Sequence, residues 1–274
     1  MQYSPIGVFD SGYGGLSVLT EIVNTLPEYD YVYLGDNART PYGTRSFDVV
    51  YQFTLESVKK LFSMGCELVI LACNTASAKA LRSIQQRDLP GIDPCRRVLG
   101  VIRPSIEVIG HYTQTNKIGI LGTPGTVISN SYPLEIKKLF PDVDVFQQAC
   151  PMWVPLVENN EHLNPGADYF VKLYIDALLQ QNEQIDTVIL GCTHYPLLAT
   201  KIRQYLPEKI QMISQGPIVA ESLKDYLYRH PEMDVRCSKN GTRNFYTTDS
   251  TEIFDRQASI FFGSEVRSQH LTLP

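Results

Sequence analysis

Short apolar runs recur along the chain, each followed by a longer segment whose apolar residues fall at three- and four-residue spacing. Ile6-Gly7-Val8-Phe9 predicts a buried strand. A Gly-rich turn follows, then a helix from about Leu16 to Leu26, stopped before Pro27. Tyr31-Val32-Tyr33-Leu34 predicts a second strand. From Ser46 to Met64 the residues Phe47, Val50, Tyr51, Val58, Leu61 and Phe62 follow helical spacing, and Gly65 stands where a helix C-cap belongs. Leu68-Val69-Ile70-Leu71 predicts a third strand that runs directly into Cys73. Further strands are expected over Val98–Ile102, Lys117–Leu121, Val143–Phe146 and Thr187–Leu190, with a late one over Arg243–Thr248. The Pro-, Gly- and charge-rich stretch from Gln85 to Arg97 reads as a linker between halves, and the tail after Glu265 is expected to fray.

Val/Ile/Leu runs alternating with helices indicate an α/β fold with parallel sheet covered on both faces. Active sites in such folds lie beyond the C-terminal ends of the strands. That rule points to the loops beginning at Asp10, Gly35, Cys73, Gly122 and Cys192.

Two of these strand ends resemble each other. Leu68-Val69-Ile70-Leu71-Ala72-Cys73-Asn74-Thr75 matches Thr187-Val188-Ile189-Leu190-Gly191-Cys192-Thr193-His194 in its apolar strand, small residue, cysteine and polar pair. Ile6-Gly7-Val8-Phe9-Asp10-Ser11-Gly12 matches Ile118-Gly119-Ile120-Leu121-Gly122-Thr123-Pro124 in the same way. The separations, 119 and 112 residues, are similar, which suggests two related α/β halves. Facing halves would bring Cys73 and Cys192 to one cleft from opposite sides. Inversion of a stereocentre needs that arrangement: a base removes a proton from one face of a carbon and an acid returns one to the other. Cysteine suits both roles, because its ordinary pKa of about 8.5 is tunable towards neutral pH.

Asn74, Thr75, Thr193 and the backbone amides nearby are candidates to hold a carboxylate, and His194 and Asp10 to tune the thiols or shuttle protons. The loop Asp10-Ser11-Gly12-Tyr13-Gly14-Gly15-Leu16 departs from the G-x-G-x-x-G dinucleotide spacing, with Ser17 at the last position, so it reads as an anion-accepting turn. Gly35 to Gly43 is a long polar loop at a strand end, where function concentrates.

Composition narrows the classes. Across 274 residues, 43% are hydrophobic and 19% charged, enough to bury a core, and the formal charge of −5 offers nucleic acid or an anionic membrane no attraction. No apolar run approaches the roughly 18 residues of a membrane span, and Met1 to Pro5 has no signal-peptide pattern. The six cysteines, Cys66, Cys73, Cys95, Cys150, Cys192 and Cys237, form no C-x-x-C pair. In a chain of this size they read as reduced thiols of a cytoplasmic protein, four of them as small hydrophobes.

Taken together, several segments resemble the glutamate racemases, cofactor-independent enzymes of the aspartate/glutamate racemase superfamily. The segments are Asp10-Ser11-Gly12 with Gly14-Gly15-Leu16, Gly35-Asp36-Asn37-Ala38-Arg39, Pro41-Tyr42-Gly43, Ala72 to Ser77, Gly122 to Thr126, Val154-Pro155-Leu156-Val157-Glu158, Gly191 to Leu197 and Phe245-Tyr246-Thr247. They stand in family order over nearly the whole chain. The resemblance implies two similar, pseudo-twofold-related α/β domains with glutamate between them, residues 1–97 with 209–274 and residues 98–208. It implies that Cys73 and Cys192 are the acid/base pair. Asp10, Ser11, Tyr42, Gly43, Asn74, Thr75, Thr126, Thr193 and His194 match substrate contacts, with Thr123 a near competitor of Thr126. Asp10, Glu158 and His194 match residues thought to assist proton transfer. It further implies glutamate as substrate, no cofactor, no metal, a role in supplying D-glutamate for bacterial peptidoglycan, and dimers in more than one arrangement. The chain departs from the family pattern in its longer stretch around Cys95, in Arg103 where an acidic residue is common, and in the bulk of Tyr13.

Other readings remain at this level. An aspartate or hydantoin racemase is the nearest, although the aspartate group usually carries an acidic residue where His194 stands. A cysteine hydrolase would need only one cysteine, with His194 as base. A dicarboxylate-binding module would bind without turnover, and a zinc site of Cys73, Cys192 and His194 lacks paired ligand spacing.

Overall fold

A computed structural model describes residues 4–273. Among the described residues ten strands form two wholly parallel sheets: β1 (Ile6–Asp10), β2 (Tyr31–Gly35), β3 (Leu68–Leu71), β4 (Arg97–Gly100), β5 (Lys117–Gly122), β6 (Asp144–Ala149), β7 (Thr187–Gly191), β8 (Gln211–Ile213), β9 (Arg243–Thr247) and β10 (Ser268–His270). The first sheet has the order β10-β9-β2-β1-β3-β4 and the second β6-β5-β7-β8. Four strands of the first sheet, β2-β1-β3-β4, therefore repeat as β6-β5-β7-β8. The sequence repeat maps onto it directly, with β1 equivalent to β5 and β3 to β7, so the two cysteines end equivalent strands.

Alternation along each strand explains the layers. In β2, Tyr31 and Tyr33 enter one core and Val32 and Leu34 the opposite one. In the second sheet Val188 and Leu190 point into the core that also holds Tyr31 and Tyr33, while Ile189 joins Ile118 and Ile120 on the far side. One apolar core is thus continuous between the two sheets and ties them together.

The helix expected over Ser46–Met64 spans Phe47–Ser63, with the Ser46 hydroxyl accepting from the Val49 amide and Gly65 at φ 94°. Three expectations change. The stretch from Gln85 is largely helical: a π-turn at Ile84–Asp88 continues into Leu89–Ile92, with Ile84 and Leu89 buried. Pro90 is accommodated directly after the π-turn, at the start of the segment Leu89–Ile92. The strand expected to reach Ile102 ends at Gly100, whose missing side chain leaves room for Leu81 and Ser77 (an added Cβ would lie 2.6 and 2.9 Å from them), and Ile102 instead opens a helix to Glu107. The tail does not fray: β10 pairs with β9, the Ser268 amide donates to Asp255, and Val266 and Leu271 are buried.

Candidate active site between the two sheets

A cavity of about 100 Å³ lies where the C-terminal ends of the two sheets face each other. Ser11 after β1, Tyr42 and Gly43 from the loop after β2, and Cys73, Asn74 and Thr75 after β3 line one wall. Thr123 after β5, Cys150 after β6, and Cys192, Thr193 and His194 after β7 line the other, with Glu158 at its side. This is the topological position expected of a ligand site in parallel sheets.

Cys73 follows β3 by two residues and caps the helix Asn74–Lys79, its sulfur accepting from the Ala76 amide at 3.4 Å and contacting Ser11 Oγ at 3.6 Å. It is 6% exposed. Burial, reinforced by the Asp10 carboxylate, pushes its thiol up to about 12 against the opposing pull of the Ala76 and Ser11 hydrogen bonds. Burial therefore favours the protonated thiol at Cys73.

Cys192 stands in a different environment. Its sulfur lies 3.9 Å from His194 Nδ1, and His194 Nε2 lies 3.1 Å from Glu158 Oε1. Burial alone lowers an imidazole's pKa, but the hydrogen bonds and charges of Cys192 and Glu158 outweigh it and push His194 up to about 10. His194 is also held edge-on against Phe261 of the first half, with ring centroids 5.3 Å apart.

Asp10 and Thr126 sit one layer behind the lining. Asp10 accepts from the Gly12 amide at 2.9 Å and from Thr193 Oγ1 at 3.4 Å. Its carboxyl is raised by burial, against the lowering effect of His194 and the Gly12 and Gly15 amides. Thr126 is buried against Thr123 and Thr75, at 3.1 and 3.5 Å, and it is Thr123 that faces the cavity, 3.0 Å from Thr75. The Asn74 side chain lines the cavity, but both its polar atoms are engaged: Nδ2 donates to Gln215 and Oδ1 accepts from Tyr132. Tyr42 donates to Asp36, and burial raises its hydroxyl far above the usual tyrosine range.

Four contacts join the halves around the cavity. Ser17 Oγ donates to the Thr193 carbonyl at 2.9 Å, Thr193 to Asp10, Thr75 meets Thr123, and the Gly125 amide donates to the Gly43 carbonyl at 2.7 Å. Gly14 is required for this approach: a Cβ there would stand 2.3 Å from Thr193 Oγ1 and 2.5 Å from His194 Nδ1.

Sequence reading did not single out Thr40, Thr44, Cys150, Pro151, Val154 or Pro155 as lining residues. Their position past strand ends β2 and β6 was the available signal. Arg103 lies outside this cavity, pairing with Glu107 on its own helix and reaching Glu135 at 3.9 Å, and Cys95 is exposed. Among the described residues no three His, Cys, Asp or Glu side chains group as metal ligands do, and no helix is long and apolar enough to cross a membrane.

The fold and site define an α/β enzyme of two related halves with two cysteines facing one cavity. The model of the Asp/Glu/Hydantoin racemase family matches residues 6–223. A glutamate racemase from Geobacter metallireducens is 36% identical over 97% of this chain and 95% of its own. One from Paracoccus denitrificans is 39% identical over 96% and 98%. Among solved structures, a glutamate racemase isoform from Bacillus anthracis superposes with a TM-score of 0.90 at 35% identity, covering 100% of this chain and 99% of that one. A glutamate racemase from Francisella tularensis, in complex with D-glutamate, gives 0.87 at 29% over 99% and 98%. The chain belongs to the Asp/Glu/Hydantoin racemase family, a family of amino-acid isomerases.

Proposed function

We propose that this protein interconverts L- and D-glutamate by proton transfer between Cys73 and Cys192. The observation that carries the reading is the placement of both sulfurs, at the ends of equivalent strands, on one small buried cavity. One cysteine as thiolate takes the α-proton, breaking C–H and forming S–H. The other, as thiol, delivers its proton to the opposite face of the carbanion. The roles exchange with the enantiomer bound, and no electrons leave the substrate. The raised Cys73 thiol supports a resting state in which Cys73 is the acid.

The α-proton of an amino acid is weakly acidic, so the site must stabilise the developing negative charge with preorganised donors and exclude water. Ser11, Thr75 and Thr123, with the amides after each cysteine, are donors on the cavity wall. Asp10 and Glu158 act through Thr193 and His194. Names of the relatives and the ligand of the Francisella structure support glutamate as the substrate.

The proposal extends to a division into two domains, near the expected boundaries of 97/98 and 208/209. Hydrogen bonding of Arg97–Gly100 to β3 and of Gln211–Ile213 to β7 supports crossings a few residues later than those. It extends also to a cytoplasmic protein that supplies D-glutamate for peptidoglycan, and to a homodimer.

The test is incubation with L-glutamate in D₂O without added cofactor, following optical activity and α-proton exchange together. Loss of optical activity with deuterium at the α-carbon is expected. Exchange with retention of optical activity would leave one working base and overturn the two-base reading. No change in either would overturn glutamate as substrate, with aspartate assayed next.

A further inference from the structure

The chain crosses between its two halves twice, once after β4 and once after β8, and both crossings meet at a single buried amide. Gln215 opens the helix Gln215–Arg229 directly after the second crossing. Its Nε2 donates to Ser105 Oγ at 2.8 Å and to Tyr132 Oη at 2.9 Å, and lies 3.1 Å from the carbonyl of Val101 at the first crossing. Its Oε1 accepts from Asn74 Nδ2 at 2.7 Å, and Tyr132 completes a ring by donating to Asn74 Oδ1 at 2.8 Å. Gln215, Asn74, Tyr132, Ser105 and Val101 are each at most 4% exposed. In such surroundings an amide leaves no acceptor or donor unmatched without a large cost, so the ring admits one arrangement.

Asn74 is the first residue of the helix capped by Cys73. Helix 215–229 in turn packs on helix 15–25, where Gly216 approaches Glu21 so closely that a Cβ would lie 2.8 Å from its Cγ. The ring therefore joins three parts whose relative placement decides where the Cys73 sulfur points: the helix behind Cys73, both crossings, and Tyr132 of the second half.

We propose that Gln215 is a positioning residue for Cys73, fixing that thiol relative to the opposite wall of the cavity by pinning Asn74 to both interdomain crossings. The proposal rests on the two-cysteine reading above. Cys192, which is held by His194 and Glu158, is not a member of the ring and is compared with Cys73 in the same molecule; Tyr132 packs beside Gly191, the residue before it, so Gln215→Leu gives the cleaner comparison.

The test compares wild type with Gln215→Leu and Tyr132→Phe. Leu removes every hydrogen bond of the amide at similar size, and Phe removes the two that Tyr132 Oη makes, one donated to Asn74 Oδ1 and one accepted from Gln215 Nε2. Two readouts are taken on folded protein: kcat and KM for each glutamate enantiomer, and the separate alkylation rates of Cys73 and Cys192 by iodoacetamide, read by peptide mass spectrometry. Misplacing a reacting group by about 1 Å costs up to about 100-fold, so Gln215→Leu is expected to lower kcat at least tenfold with KM within threefold. The Cys73 alkylation rate should change at least about fivefold and that of Cys192 less than twofold, while Tyr132→Phe shifts both readouts the same way by less. The double variant should be little worse than Gln215→Leu alone, because both changes break one network. An unchanged kcat, or equal changes at the two cysteines, would overturn the proposal and leave Gln215 a purely structural residue. Should Gln215→Leu fail to fold, Tyr132→Phe decides by the same readouts. The alkylation ratio needs no turnover, so it separates failure of this proposal from failure of glutamate as the substrate.

Discussion

His194 Nε2 stands 3.1 Å from Glu158 Oε1, and the other nitrogen of the same ring faces the Cys192 sulfur. Each neighbour raises the imidazole, which reaches about 10 in the fold against an ordinary value of about 6.5. A base whose folded pKa is raised contributes its stability in full below the unfolded pKa, and that contribution is lost as pH rises through the folded value. Thermal stability should therefore decline between about pH 6.5 and pH 10. Glu158→Gln removes one of the raising charges, so its melting temperature should fall less steeply across that window. Calorimetry at a series of pH values measures both slopes, and equal slopes would contradict the pairing.

The same substitution should move catalysis. With the Glu158 charge gone, the imidazolium persists to a lower pH, and the alkaline limb of kcat should move down by at least about half a pH unit. A limb unmoved by Glu158→Gln would show that His194 is not the group titrating there.

Replacing either sulfur tests the acid/base pair. General acid–base groups contribute about 10²- to 10⁴-fold, so Cys73→Ser and Cys192→Ser should each lower the racemisation rate by at least 100-fold, measured by circular dichroism from both enantiomers. Activity within tenfold of wild type in either variant would remove that cysteine from the mechanism.

Gly14 and Gly91 form a matched pair of helix-compatible glycines with opposite surroundings. A methyl group at Gly14 meets Thr193 and His194 within 2.5 Å, while nothing lies within 4 Å at Gly91. Gly14→Ala should reduce kcat about tenfold or more by displacing the second wall of the cavity, and Gly91→Ala should leave kcat unchanged with stability equal or slightly higher. Steady-state kinetics and thermal melts on both variants check this.

Limited alkylation at pH 8 should label Cys95 first, since it is the exposed cysteine and the other five are buried. Cys73 and Cys192 should follow more slowly, and saturating glutamate should slow them further without affecting Cys95. Peptide mass spectrometry against time reads the order. Protection of Cys95 by glutamate would place the substrate elsewhere.

Much of this molecule was written in local pattern. The strands β1, β2, β3, β5 and β7 are apolar runs because both faces of a parallel sheet are buried, and such runs are visible without partners. The repeat around Cys73 and Cys192 gave away the two halves, since equivalent strands ending in the same residue type need no long-range knowledge to detect. Elements at the sheet margins were less legible. Gln211–Ile213 is too short and mixed to stand out, and Ser268–His270 is polar because it forms the edge of the sheet. The helical turns at 84–92 were hidden by Pro90 and Gly91, whose tolerance depends on their place directly after the π-turn and in solvent.

For the site, the sequence by itself determined which chemical groups were available: two cysteines at strand ends, a histidine two residues after one of them, and hydroxyl-bearing loops. Only the tertiary structure decided which of those groups face the cavity. Thr123 and Thr126 are equivalent as hydroxyls in a local reading, but the helix turn between them aims Thr123 at the cavity and Thr126 behind it. Asn74 was legible as a polar residue beside a cysteine, yet Gln215, 141 residues away, and Tyr132, 58 away, take up its amide. Gln215 itself carried no signal in a polar stretch, because a buried amide becomes significant only through the partners that fold around it. Local pattern specifies the reactive groups, and the packing of the two sheets over one shared core assigns them direction, distance and charge environment.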